Sequence, residues 1–143
     1  EIMYEKINGR DFIDVILEPH RCYYNALRYM FGKSLIHGLA HITGGGICEN
    51  LNRILPEECD AEIDLNNYEV LDVFKVLRKY GDVDDTDMLR TFNLGVGMAL
   101  VTSKENESIV MNHLTSMGVK CYKIGKIVPG TKKVKCKGKL VWD

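Results

Sequence analysis

Two periods alternate along the chain, one near 3.6 residues and one of two, and the changes between them mark its elements. Over 19–31, Cys22, Tyr23, Ala26, Leu27 and Met30 form one apolar stripe, with Pro19 in the first turn and Gly32 at the stop, which predicts a helix. Residues 36–42 read as a strand running into three glycines. A second helix is expected over 46–55, with Ile47, Leu51, Ile54 and Leu55 inward, a Glu49–Arg53 pair outward, and Pro56 ending it. A short alternating strand over 61–65 precedes the clearest helix, 68–80. There Val70, Val73, Phe74 and Leu77 share a face opposite Asp72, Lys75, Arg78 and Lys79, and Gly81 is the expected cap. A short helix over 84–92 opens with acidic residues, as the helix dipole favours. A buried strand over 97–102, an amphipathic helix over 103–117 stopped by Gly118, and a strand over 120–128 follow. Residues 134–142 read as a terminal strand or a hairpin around Gly138. The short apolar run of Phe12, Ile13, Val15, Ile16 and Leu17 leaves 1–18 as a connecting segment ending near Pro19.

Alternating strands and helices predict an α+β fold in α/β layers, a mixed sheet with helices packed on it. The 143 residues suffice for one domain with a real core, and no repeat or low-complexity linker divides them, so 1–143 is read as a single domain. The net charge of −1 gives no global attraction to nucleic acid or an acidic membrane. Lys132, Lys133, Lys135, Lys137 and Lys139 alternate with Val134, Cys136 and Gly138, as on the wet side of an edge strand, where lysine discourages further pairing. Nucleic acid is therefore not an expected partner. No apolar run has the length of a bilayer-spanning helix, and the opening Glu1-Ile2-Met3-Tyr4 is not read as a signal peptide. Cys22, Cys48, Cys59, Cys121 and Cys136 are odd in number and form no C-x-x-C pair, so neither a zinc site nor a closed disulfide framework is expected. Free thiols suit a reducing compartment, and the expected location is cytoplasmic.

The chemistry-bearing feature is Thr43-Gly44-Gly45-Gly46, where a strand enters and a helix leaves. Glycines let a backbone take positive φ and approach a ligand, and free N–H groups at a helix start attract anions. No lysine follows, so this is not a Walker A loop, nor does it match G-x-G-x-x-G. By itself the pattern fits either a phosphate loop or a tight strand-to-helix turn.

The run from His41 to Pro56, HITGGGICENLNRILP, resembles the H-[IL]-T-G-G-G-x-x-E-N-[IL]-x-R-[VIL]-L-P segment of aminoimidazole ribonucleotide synthetases, the phosphoribosylformylglycinamidine cyclo-ligases. A second block, Met88 to Met98, MLRTFNLGVGM, resembles that family's M-x-R-T-F-N-x-G-[IV]-G-M. Leu17 to Tyr23, LEPHRCY, is similar to its L-x-P-T-[RK]-x-Y, with His20 where the family usually has threonine. Tyr122-Lys123-Ile124-Gly125 is similar to its late [WY]-x-I-G strand. The four blocks keep the family's order and spacing across 17–125. Formylglycinamidine ribonucleotide synthetase, selenophosphate synthetase, thiamine-monophosphate kinase and a hydrogenase-maturation protein share the wider superfamily. A relative of the first of these, or a non-catalytic interaction module of the same fold, is the alternative reading.

The resemblance covers the family's C-terminal domain. Neither the D-G-V-G-T-K motif of its N-terminal domain nor the G-x-x-S-[NG]-G-[YF] stretch that opens the C-terminal one occurs. The implied piece therefore begins inside the second domain, and an incomplete sheet would leave a strand edge exposed. The implied reaction converts formylglycinamidine ribonucleotide and ATP to aminoimidazole ribonucleotide, ADP and phosphate, with Mg²⁺ held mainly by carboxylates of the N-terminal domain. The chain alone is then expected to be inactive, and the intact enzyme a homodimer. His41 is the catalytic candidate, and Thr43, Gly44, Gly45, Gly46, Asn50, Arg90, Asn93 and Gly95 are the candidates for phosphate or substrate contact. No residue is assigned as a metal ligand. For Asn50 a loop-orienting role, and for Arg90 a surface ion pair with Asp87, stand beside ligand contact. Asn93, Gly95 and Gly97 suit a turn, and His37 and His113 a structural or solvated role.

Overall fold

The computed structural model describes residues 2–142; Glu1 and Asp143, the outer ends of the 1–18 segment and of the single 1–143 domain, lie outside the described residues. In chain order it contains β1 (Lys6–Ile7), β2 (Arg10–Asp11), α1 (Phe12–Ile16), α2 (Tyr24–Leu27), β3 (Gly38–His41), α3 (Gly46–Asn52) and β4 (Cys59–Asp64). Then follow α4 (Asp72–Gly81), α5 (Asp85–Thr91), β5 (Met98–Val101), α6 (Glu107–Ser116), β6 (Gly125–Pro129) and β7 (Val134–Lys137). The fold is mixed α+β, as the pattern predicts. Its strands fall into three small sheets: the β1–β2 hairpin, the antiparallel β3–β5 pair, and β6–β4–β7. Only the last is mixed, with β4 antiparallel to β6 and parallel to β7.

Several predicted elements change length or kind. The segment 1–18 is more than a connection: β1 and β2 pair as Lys6↔Asp11 and Ile7↔Arg10 across Asn8-Gly9. Both turn residues have positive φ, 51° and 82°, the conformation Asn-Gly adopts in tight hairpins. Phe12 of α1 is buried behind it. The predicted 19–31 helix shrinks to α2 and a 3-10 turn over Arg28–Met30, with 17–23 irregular. Its apolar stripe still does its work, because Ala26, Leu27 and Met30 pack with Val110 and Leu114 of α6 in a second, smaller core. The 68–80 helix starts only at Asp72; Tyr68 and Val70 are buried from an extended stretch, and Asp82, not Gly81, takes the left-handed cap position. Residues 120–124 stay irregular before β6, although Ile124 O accepts the Asp64 N–H.

The main core lies where α3 and α5 cover β3 and β4, with Ile42 and Met88 fully enclosed beside Ile47, Leu51, Ala61 and Ile63. Among the described residues β5 pairs only with β3, and β6 only with β4, so each has an open edge. Between these edges runs a cleft of about 490 Å³, lined by 95–102 on one side and 119–127 on the other. Leu27 and Val110 of the smaller core and Leu51 and Ile63 of the larger one form its floor.

Along β7 the side chains alternate as expected: Val134 and Cys136 half-buried, Lys135 and Lys137 exposed. Lys135 pairs with Asp60 at 2.6 Å. Asp60 is 2% exposed and also accepts the N–H groups of Thr131 and Lys133 at 2.7 and 2.8 Å. Lys135 and those two N–H groups pull its carboxyl down to about 2. It fastens the 130–133 turn to β4, a role no sequence signal announced.

Candidate functional site

The glycine turn is built by its own chain. β3 delivers His41 to the surface opposite Met98 of β5, Ile42 anchors the next position in the core, and Thr43 and Gly44 are exposed. Gly45 and Gly46 take positive φ, 95° and 61°, which L side chains resist. The Gly46 N–H donates back to Thr43 O at 3.1 Å and closes the turn. Beneath it, the buried Asn50 amide donates to the carbonyls of Gly46 at 2.8 Å, Gly44 at 3.2 Å and Thr43 at 3.4 Å. Thr43 Oγ1 donates to Asn50 Oδ1 at 3.5 Å. Asn50 thus fastens the loop, with its amide facing inward.

The second block meets the first at Gly46. A Cβ there would overlap the Leu89 carbonyl oxygen and crowd that of Phe92, so only glycine lets α3 start against the end of α5. The tight approach therefore has a packing cause in the chain itself. Past Phe92, Asn93 Oδ1 accepts the Gly95 N–H at 3.0 Å, Leu94 is buried at φ 53°, and Gly95 has φ 107° beside Leu71 and Glu69 O. Asn93 and Gly95 shape a turn, and Gly95 also lines the β5–β6 cleft. Arg90 is exposed and pairs with Asp87 at 3.1 Å, one turn earlier on α5.

The third block arrives from the other side. The His20 ring meets the His41 ring edge-on at 5.2 Å, and Tyr23 meets it at 6.4 Å. The Tyr23 hydroxyl sits where a Gly97 side chain would be, so Gly97 too is a packing requirement. His41 thus stands on the outer surface with two aromatic neighbours, beside the turn. His113 is structural, with Nε2 2.9 Å from Ala26 O and its ring stacked on Tyr29 at 4.9 Å.

The Glu49 side chain folds back so that its carboxylate lies against Gly45, at the start of α3 where an anion would be met. Among the described residues, no three His, Cys, Asp or Glu side chains converge as a metal site. From the sequence an open strand edge is expected, but not the cleft between two such edges, nor Arg21 and Lys120 at its walls, because the edges face each other only in three dimensions.

Residues 4–137 match the family model described as AIR synthase related protein, C-terminal domain. The chain belongs to that family. Among curated relatives, the bifunctional purine biosynthetic protein ADE1 of Schizosaccharomyces pombe is 44% identical over 115 residues, 80% of this chain and 15% of that protein. The phosphoribosylformylglycinamidine cyclo-ligase of Bifidobacterium animalis subsp. lactis is 39% identical over 123 residues, 86% of this chain and 36% of that one. The chain thus spans about a third or less of the length of these relatives. Among solved structures, Escherichia coli HypE superposes with a TM-score of 0.63 at 17% identity, over 82% of this chain and 36% of that one. Thiamine-monophosphate kinase from Stenotrophomonas maltophilia superposes with a TM-score of 0.57 at 14% identity, over 76% and 34%. These two likenesses concern the fold.

Proposed function

We propose that the chain is the C-terminal part of an ATP-dependent phosphoribosylformylglycinamidine cyclo-ligase, which closes the imidazole ring of aminoimidazole ribonucleotide in purine synthesis. The observation that carries this reading is the meeting of three sequence blocks at one turn: His20 and Tyr23 against His41, and Gly46 against the carbonyls of Leu89 and Phe92. Relatives at 39–44% identity carry purine-pathway names, which supports the cyclo-ligase over the other ATP-using members of the superfamily and over a non-catalytic module.

In the proposed reaction the formyl oxygen of formylglycinamidine ribonucleotide is phosphorylated by ATP. The ring-closing nitrogen then attacks the formyl carbon, a C–N bond forms, the C–O bond breaks, and the oxygen leaves in phosphate. Phosphorylation is needed because the unmodified oxygen is a poor leaving group. His41, exposed at the end of β3, is the group to accept the proton that the attacking nitrogen loses, a task suited to imidazole. The N–H groups at the start of α3, with the Thr43 hydroxyl, meet a phosphate once the Glu49 carboxylate swings off Gly45. Arg90, Asn93 and Gly95, on and after α5, are the further phosphate or substrate contacts in this reading. Among the described residues no three His, Cys, Asp or Glu side chains group as a Mg²⁺ site, and in this reading the metal's ligands come mainly from the N-terminal domain.

The rest of the polypeptide has a second role in this reading: it supplies a strand to the β5–β6 cleft, whose two open edges and apolar floor support such an insertion. We place the enzyme in the cytoplasm as a homodimer. No helix among the described residues is long and apolar enough to cross a membrane.

The test is ATP-dependent ring closure by the intact enzyme, with and without His41→Ala. The expected result is turnover by the wild type and a kcat lowered roughly tenfold or more in the variant, the usual range for an acid–base group. The 143-residue chain alone is expected to show none. Absence of ring closure in the intact enzyme contradicts the reading, and unchanged kinetics in the variant returns His41 to a structural role.

A further inference from the structure

One reactive pair has no part in ring closure. Cys48 lies in the first turn of α3, just past the glycines, and Cys136 lies in β7; they are 88 positions apart in sequence, yet their Sγ atoms are 3.1 Å apart. Both are half-buried free thiols. α3 packs directly on β7, and Cys136 points inward while Lys135 and Lys137 point out, so the approach is set by the strand's alternation. The two sulfurs are unequal. The hydrogen bond with Cys136 draws Cys48 down to about 7, against burial and the nearby Glu49. The same bond and burial push Cys136 up. Tyr68, beside both, is held neutral by burial. Cys48, at the start of a helix, is the sulfur placed to attack, and Cys136, 3.1 Å away, is the one placed to resolve.

We propose that Cys48 and Cys136 form a reversible oxidation site, a dithiol that a small disulfide such as oxidised glutathione converts to an intramolecular disulfide. The Cys48 thiolate attacks one glutathione sulfur, its S–S bond breaks, and one glutathione thiolate leaves. Cys136, giving up its proton, then attacks Cys48 Sγ and expels the second glutathione. The two cysteines lose two electrons and two protons, and the small disulfide becomes two thiols. A disulfide needs its sulfurs about 2 Å apart, so the pair closes by roughly one ångström. The product ties the helix that carries the glycine turn to the lysine-bearing edge strand.

The experiment incubates the folded protein with oxidised glutathione, blocks remaining thiols and maps its peptides. The expected result is a Cys48–Cys136 linked peptide, an intact mass lower by two hydrogens, and full reversal by a dithiol reductant. Cys136→Ser should stop at a mixed disulfide on Cys48, and Cys48→Ser should leave Cys136 unmodified, with far-UV spectra checking that both variants fold. Glutathione on the exposed Cys22 while Cys48 and Cys136 stay as thiols would overturn the proposal, as would a link that forms only after denaturation. The mapping on the wild type needs no variant and no enzyme activity, so its outcome is independent of the ring-closure reading.

Discussion

The glycine turn and the β5–β6 cleft contain neighbouring parts of the same motifs, yet one is complete and the other open. At the turn every close approach has a partner from this chain: Asn50 on three carbonyls, Gly46 on α5, and Tyr23 on Gly97. In the cleft two strand edges stand without a partner among the described residues. A backbone edge without a partner is a cost that a fold covers when it can. The difference makes the turn's shape a property of this chain, whereas in the proposed reading the cleft is completed by another segment.

That contrast makes the turn sensitive and the cleft tolerant. The largest effect is expected at Gly46→Ala, which places a methyl group against the Leu89 carbonyl at positive φ. Left-handed strain and overpacking together should lower stability by about 2–4 kcal/mol, read by urea or thermal unfolding. Asn50→Ala removes a buried amide and leaves the loop carbonyls of Gly46, Gly44 and Thr43 without that donor, for a loss of about 1–3 kcal/mol in the same assay.

A smaller effect tests a part remote from both regions. The folded-state pKa of Asp60 lies below the unfolded value near 3.9, so its stabilisation is present above pH ~4 and disappears as pH falls toward 2. Asp60→Asn should flatten that acid limb of the stability profile, and an unchanged limb would remove Asp60 from the account. The smallest effect is expected at Ile127→Lys, on the cleft side of β6, where the side chain is already 37% exposed. A change within about 0.5 kcal/mol is expected in this chain, as for ordinary surface positions. A loss as large as that of Gly46→Ala would erase the distinction between the two regions.

Much of the turn was legible in sequence because its signals are local. The strand before it, the helix after it and the amphipathic face of α4 follow from spacing, and the glycines announce a backbone that needs freedom. What sequence left open was the reason for that freedom, since a glycine that approaches a phosphate looks the same as one that approaches a neighbouring helix. The Asn8-Gly9 hairpin was legible in principle: its dipeptide is a strong turn signal, but its strands have two residues each and show no alternation. Residues 19–31 failed for the opposite reason. The helical stripe exists, but its residues satisfy a small core from a single turn and a 3-10 extension, so the pattern reports burial and not helix length. The Cys48–Cys136 approach was illegible, and of the cleft only an open strand edge was expected, because each depends on elements far apart in sequence.

The central claim is that this chain finishes the turn while the rest of the enzyme finishes the cleft. Hydrogen exchange of the 143-residue chain beside the intact enzyme tests it most directly. The account predicts that amides on the open edges of β5 and β6 exchange rapidly in the chain alone and become protected in the intact enzyme, while those of α3 exchange alike in both. Equal exchange of the β5 and β6 edges in the two proteins would contradict it.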